Sequence, residues 1–245
     1  MRFFDNGLRL RIVRGLAAIT AGILFTSVSL APYTIGKLDA TSELAALQCS
    51  AAGMGNVLQN MERNQYFQAI KTYSSEFGVD YRLVLAVIKQ ESQFVHESVS
   101  EKGAAGLMQI MPATSSDLSD ILDLDDITLP HENLRAGIYY LSSMMDLFKN
   151  SADNDRIELA LAAYNAGPAR VYDAQELAAY MGENPNSWSS IRSALPLLSK
   201  RYYSLHASIW PEGRPRNGNF GSWRQTVNYV DRIMSTYRNY SRIFG

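Results

Sequence analysis

The stretch Tyr81-Arg-Leu-Val-Leu-Ala-Val-Ile-Lys-Gln-Glu91-Ser92 decides how this chain folds. Its apolar residues Leu83, Val84, Val87 and Ile88 recur at the three- and four-residue spacing of a helix with one buried face. Asp80 stands where a helix N-cap belongs. Gly78, just before it, suits the end of an earlier helix marked by Phe67, Ile70, Tyr73 and Phe77. Two helices meeting at a tight corner are therefore predicted. The second ends in a carboxylic acid, Glu91, and a turn-rich loop closing on Gly106-Leu-Met-Gln109 follows at once. A carboxyl group set against Val87, Ile88 and Phe94 loses hydration, which disfavours its charged form. The expectation is a raised pKa and a proton retained near neutral pH, the state that a general acid needs.

The same periodicity runs on down the chain. Pro112 suits the first turn of a helix, and Leu134, Ile138, Leu141, Met145 and Phe148 share one side of another over residues 133–148. Residues 155–164 predict a short helix that Asn165-Ala-Gly167-Pro168 stops, and a long helix over 223–243 closes the chain. The segment 204–222, rich in Pro and Gly, reads as a long loop forming one wall or lid of a groove. No alternating stretch is long enough for a substantial sheet, and the loop from Gln93 to Met108 offers at most a small β-hairpin. The fold class expected is mainly α.

A chain of 245 residues, 47% hydrophobic and 19% charged, fits one globular domain with an appended segment. That segment is at the front. Arg2, Arg9, Arg11 and Arg14 precede an uncharged run over 15–31, the arrangement of a secretory signal or a membrane anchor. Pro32 follows the small residues Ser29 and Ala31 and hinders cleavage there, so both forms stay open. Residues 1–31 thus read as signal or anchor, 32–62 as linker and 63–245 as the domain. A periplasmic, exported location follows, with membrane anchoring through residues 15–31 if that segment is retained. Cys49 is the single cysteine, so no internal disulfide is available. With a net charge of -1, no Gly-rich phosphate loop, no His pair at metal spacing and no Cys cluster, neither a nucleic-acid partner nor a cofactor or metal is expected. A monomer is expected.

Packing does not account for three segments: Glu91-Ser92, Gly103-Ala-Ala-Gly106-Leu-Met-Gln109 and Ala163-Tyr-Asn-Ala-Gly167. In this order they resemble the lytic transglycosylases with a soluble-type catalytic domain, a branch of the goose-type lysozyme fold. The resemblance runs from about Tyr66 to Phe244. It implies a lysozyme-like fold and cleavage of the β-1,4 bond between N-acetylmuramic acid and N-acetylglucosamine in peptidoglycan, without water, leaving a 1,6-anhydro ring. It also implies Glu91 as the catalytic acid and base, with Tyr229, in Gln225-Thr-Val-Asn-Tyr229-Val230, orienting its carboxyl group. Gln225 stands where many members have Glu. Ser92, Gly106, Met108, Gln109, Tyr164 and Asn165 carry over as substrate-binding residues, Gln109 as a donor to the glycan. Gly182-Glu-Asn-Pro-Asn-Ser-Trp188 and Leu195-Pro-Leu-Leu-Ser199 resemble a membrane-bound branch that carries a solute-binding-protein-like module ahead of this domain. The linker here leaves no room for one, so the catalytic half alone is expected.

Ordinary glycosidases use two carboxylates, whereas the motif cluster holds one. Glu97, Glu101 and Asp117 are the nearby candidates for a second, and each reads as a solvated residue of a polar loop or helix face. With one carboxyl group, Glu91 can protonate the leaving oxygen and then take the proton from the sugar's own C6 hydroxyl, the N-acetyl group acting as transient nucleophile. Two other readings stay open. One is a hydrolytic muramidase in which Asp117 or a neighbour positions water. The other is a non-catalytic glycan-binding component of an envelope-spanning machine.

Overall fold

The structure, a computed structural model, describes residues 65–245. The signal or anchor over 1–31, the linker over 32–62 and Cys49 lie outside the described residues. Within them the chain is mainly helical, with nine α-helices: α1 (Phe67–Glu76), α2 (Tyr81–Glu91), α3 (Pro112–Leu122), α4 (Pro130–Leu147), α5 (Asp153–Ala166), α6 (Pro168–Tyr180), α7 (Trp188–Ala194), α8 (Tyr203–Ile209) and α9 (Trp223–Phe244). Two short 3₁₀ turns, Leu195–Leu198 and Lys200–Tyr202, join α7 to α8.

Local chemistry sets the helix starts. Proline opens α3, α4 and α6, where its missing N–H costs no intrahelical bond. The Asp80 carboxylate caps α2 by accepting the Arg82 backbone N–H at 2.9 Å. It also accepts the Tyr237 hydroxyl at 2.8 Å, tying the start of α2 to α9. Burial pushes the Asp80 pKa up, but the hydrogen bonds from Arg82 and Tyr237 outweigh it and hold the group below its ordinary range. The helices predicted over 133–148 and 155–164 begin earlier, at Pro130 and Asp153.

The core is built around two helices buried over consecutive residues, Leu83–Ile88 of α2 and Leu159–Ala163 of α5. A helix apolar on all sides belongs in the interior. α5 packs against α4, α6, α7 and α9, while α2 lies between α1 and α9. α9 is amphipathic and turns Val227, Val230, Ile233 and Met234 inward. Each fully buried Leu or Ile in this core contributes about 1.5–3 kcal/mol of transfer free energy.

The loop from Gln93 to Met108, where at most a small β-hairpin was expected, holds isolated bridges of Ala105 with Val99 and with Ile110. One expectation needs correction. The loop expected over 204–222 begins as helix α8, because Leu205 and His206 are buried there and the His206 ring meets the Leu197 carbonyl at 2.7 Å. Beyond it the chain is fastened to α6. The Asp173 carboxylate accepts both the backbone N–H and the side-chain amide of Asn217, and Arg216 forms two hydrogen bonds to Glu176. Among the described residues no helix is long and apolar enough to cross a membrane.

Candidate active site

Helix α2 delivers Glu91 at its last position, and the backbone then turns sharply through Gln93 and Phe94, two successive residues at positive φ (51° and 66°). Such backbone is uncommon for residues with a Cβ. α9 runs against α2 and brings Tyr229 to the carboxyl group, where its hydroxyl donates to Glu91 Oε1 at 2.5 Å. Burial pushes the Glu91 pKa from its ordinary 4.5 up to about 7, against the opposing pull of the Tyr229 hydrogen bond. Burial, and next the charge of Glu91, push the phenols of Tyr229 and Tyr164 well above the usual tyrosine range, so both remain donors.

The opposite wall is the loop over 98–110, shaped by a few side-chain-to-backbone bonds. Gly106 has φ +83°, and a Cβ there would lie 2.3 Å from Asn133 Nδ2. Only glycine allows that approach. Asn133, buried on α4, accepts the Met108 backbone N–H at 2.9 Å and donates to the carbonyls of Ala105 and Ile127 at 3.1 Å each. Ser92 Oγ donates to the Leu107 carbonyl at 2.9 Å, and Tyr164 donates to the Met108 carbonyl at 2.8 Å. Asn165 accepts the Thr226 hydroxyl at 2.9 Å, joining the end of α5 to α9.

Between these walls lies a cavity of about 390 Å³ lined by Glu91, Ser100, Glu101, Lys102, Ala104, Gln109, Met111, Tyr164, Asn165 and Gln225. A second, of about 250 Å³, shares Gln109, Met111, Tyr164 and Asn165 with it and adds Tyr140 and Thr114. The shared residues make the two one groove leading away from Glu91. Tyr140 and Tyr164 bring their rings to 5.2 Å at its floor.

Of the expected substrate contacts, Gln109, Tyr164 and Asn165 do line this groove, and Glu91 and Tyr229 meet as expected. Three do not reach it with their side chains. Ser92 is buried and spends its hydroxyl on Leu107. Gly106 is required by Asn133. Met108 is fully buried and packs on Gly137. Gln109 itself, held at φ 48°, donates its amide N–H groups to the Ser98 and Gly106 carbonyls, so it faces a ligand as an acceptor rather than the expected donor. Glu97 and Asp117 are exposed and line neither cavity, whereas Glu101 stands on the rim. The loop expected as a groove wall contributes no lining residue from 204–222. Asn133 and Met111 went unnoticed in the sequence. The available signal for Asn133 was an amide beside Leu134 on the core side of a helical pattern. Among the described residues no three His, Cys, Asp or Glu side chains gather as a metal set.

Residues 68–206 match the family model described as the transglycosylase SLT domain. The chain belongs to this family. Curated relatives of this SLT domain protein include the membrane-bound lytic murein transglycosylase F of Cellvibrio japonicus, 33% identical over 183 residues, which are 74% of this chain and 33% of the relative. The protein of the same name from Klebsiella pneumoniae is 34% identical over 179 residues, 69% of this chain and 34% of that relative. The chain thus spans about a third of the length of these relatives. In fold, the SLT domain is similar to the crystal structure of the 70 kDa soluble lytic transglycosylase of Escherichia coli, with a TM-score of 0.51 and 23% identity over 74% of this chain and 24% of that one. α9, with Tyr229, lies beyond the matched SLT stretch.

Proposed function

We propose that residues 63–245 are a peptidoglycan lytic transglycosylase domain, which cleaves the β-1,4 bond between N-acetylmuramic acid and N-acetylglucosamine and leaves a 1,6-anhydromuramoyl end. The observation that carries this reading is a carboxyl group with its pKa raised to about 7 by burial, hydrogen-bonded by one tyrosine at the end of a groove. A pKa near the working pH serves a group that must first give a proton and then take one. Protonated Glu91 donates to the glycosidic oxygen as the C1–O bond breaks, and the acetamido oxygen of the muramoyl residue bonds to C1. The Glu91 carboxylate then takes the proton of the C6 hydroxyl, whose oxygen displaces the acetamido oxygen at C1 and closes the anhydro ring. Glu91 ends as it began, protonated. Tyr229 holds the carboxyl in place and stabilises its charged interval. Tyr164, Asn165, Gln109 and Met111 hold the sugars in register with Glu91.

The family membership and the names of the relatives support peptidoglycan strands as the partner and the cell envelope as the place of action. The charge pattern of residues 1–31 agrees, as signal or anchor. Service within an envelope-spanning machine, by a monomeric domain, is part of the same reading. Mass spectrometry of muropeptides released from purified peptidoglycan, with Glu91→Gln as control, tests it. Products one water lighter than hydrolysed muropeptides, lost in the variant, are expected. Reducing-end products would replace the reading with a muramidase, and release independent of Glu91 would remove catalysis at this site.

A further inference from the structure

The cavity beside Glu91 carries a charged feature that the bond-breaking chemistry does not use. Residues Ser100–Gly103 form a closed β-turn: the Gly103 N–H donates to the Ser100 carbonyl at 2.9 Å, and Gly103 takes φ +83°. The turn is locked from behind. The Ser100 N–H donates to the Ala104 carbonyl at 2.8 Å, the Ala104 N–H donates to Ser100 Oγ at 3.0 Å, and Val99 bridges Ala105. This geometry puts Glu101 and Lys102 at the two tip positions, both exposed and both on the cavity wall. Neither has a hydrogen bond, ion pair or ring contact among the described residues, and the two do not pair with each other. Apart from Glu91, every other lining side chain of this cavity is neutral. A carboxylate and an ammonium are therefore held side by side, open to solvent, on a rigid edge of the groove.

Two backbone N-acetyl sugars offer such a pair hydroxyls and amides but no charge when the lactyl carboxyl is tied up in an amide. The peptide stem on that lactyl group does, since it brings carboxylates and the side-chain amine of a diamino acid. We propose that the Ser100–Gly103 turn reads the peptide stem, with Lys102 meeting a stem carboxylate and Glu101 a stem amine, so that the domain prefers glycan strands that carry stems. This rests on the transglycosylase reading and assigns a substrate class to its site. The turn is preorganised, so ordering costs fall mainly on the two side chains.

The test compares peptidoglycan strands bearing uncrosslinked stems with the same strands stripped by an amidase, for the parent protein, Glu101→Gln, Lys102→Gln and the exchanged pair Glu101→Lys with Lys102→Glu. On stem-bearing strands each single variant is expected to lower kcat/KM about 2- to 5-fold, mostly through KM, as exposed ion pairs do. The loss should shrink in high salt. On stripped strands, which keep a lactyl carboxylate but no amine, Glu101→Gln should behave as the parent. Equal cleavage of both strand types by the parent, or equal losses on both for Glu101→Gln, overturns the proposal. Binding of the two strand types to Glu91→Gln protein, followed by titration calorimetry, supplies an arm that needs no turnover. A stem preference there that Glu101→Gln removes upholds the stem reader even if anhydro products never form, and its absence overturns it. Failure of the transglycosylase reading is thus seen separately, in the products.

Discussion

Replacing Tyr229 with Phe removes the one hydrogen bond among the described residues that favours the Glu91 carboxylate, so the Glu91 pKa should rise above its value of about 7. In the parent, release of anhydro products should fall on the alkaline side with an apparent pKa near 7, as the general acid loses its proton. In Tyr229→Phe that limb should move to higher pH while kcat drops. A pH series on both proteins checks this, and a limb that stays put would deny Tyr229 any hold on the carboxyl. The same pKa makes a prediction about stability. The folded value lies above the ordinary 4.5, so the stabilising contribution is fully present below about 4.5 and is lost as pH rises through about 7. Glu91→Gln should therefore be more stable than the parent at pH 8, by at most about 3 kcal/mol, and the gap should narrow as the pH is lowered through 7 towards 5. Urea titrations at the two pH values measure it. Glu91 and Tyr229 were legible in the sequence because each sits in an ordered motif with a distinctive residue type. Ser92, Gly106 and Met108 belong to the same motifs, yet a motif does not say which way a side chain points. For Gly106 and Met108, Asn133 and Gly137 decide that, from a helix about 30 residues further on, and for Ser92 the Leu107 carbonyl does.

Gly137 shows how closely α4 and the 98–110 loop meet. A Cβ at this position would lie 2.5 Å from the Met108 Cβ and 2.6 Å from its sulfur, closer than packed atoms come. Gly137→Ala must push the loop outward, with an expected cost of about 1–3 kcal/mol. Because Tyr164 is bonded to the Met108 carbonyl, activity should fall further than stability alone explains. Chemical denaturation beside kcat/KM at a temperature where both proteins are folded separates the two. Alanine ordinarily favours a helix over glycine, so a stabilised variant would contradict the packing described. Elements were legible wherever apolar spacing had enough length to repeat. α1, α2 and α9 begin and end close to where their periodicity says. α8 was not, since seven residues make only two turns and its anchor, the buried His206 ring against Leu197, is a polar contact that apolar spacing cannot report. The rest of that segment was rightly read as irregular chain, but its place on α6 depends on Arg216 finding Glu176 and Asn217 finding Asp173, across about 40 residues.

At the scale of the whole molecule, α9 closes the domain by covering α2 and α5 together. A fragment ending at Ser222 would leave buried residues of both helices facing water and lose Val227, Val230, Ile233 and Met234 from the core. Each is the kind of loss that costs about 1.5–3 kcal/mol, so the four together cost about 6–12 kcal/mol, comparable with the roughly 5–15 kcal/mol that holds a typical domain. Circular dichroism and thermal melting should show that fragment without a cooperative transition, while residues 65–245 melt as one unit. A fragment that melts cooperatively would make α9 an accessory to the fold. The helical class was legible from the 3.6-residue period alone, but the pairing of α9 with α2 was not, because a periodic pattern carries no address for its partner. The hydrogen bond from Tyr229 to Glu91 joins residues 138 positions apart. A ribosome makes chains from the N-terminus, so the acid is synthesised long before the group that steadies it. A nascent chain that has not yet reached Tyr229 therefore carries Glu91 without the hydroxyl that steadies it, and the pair is complete only once α9 has been made.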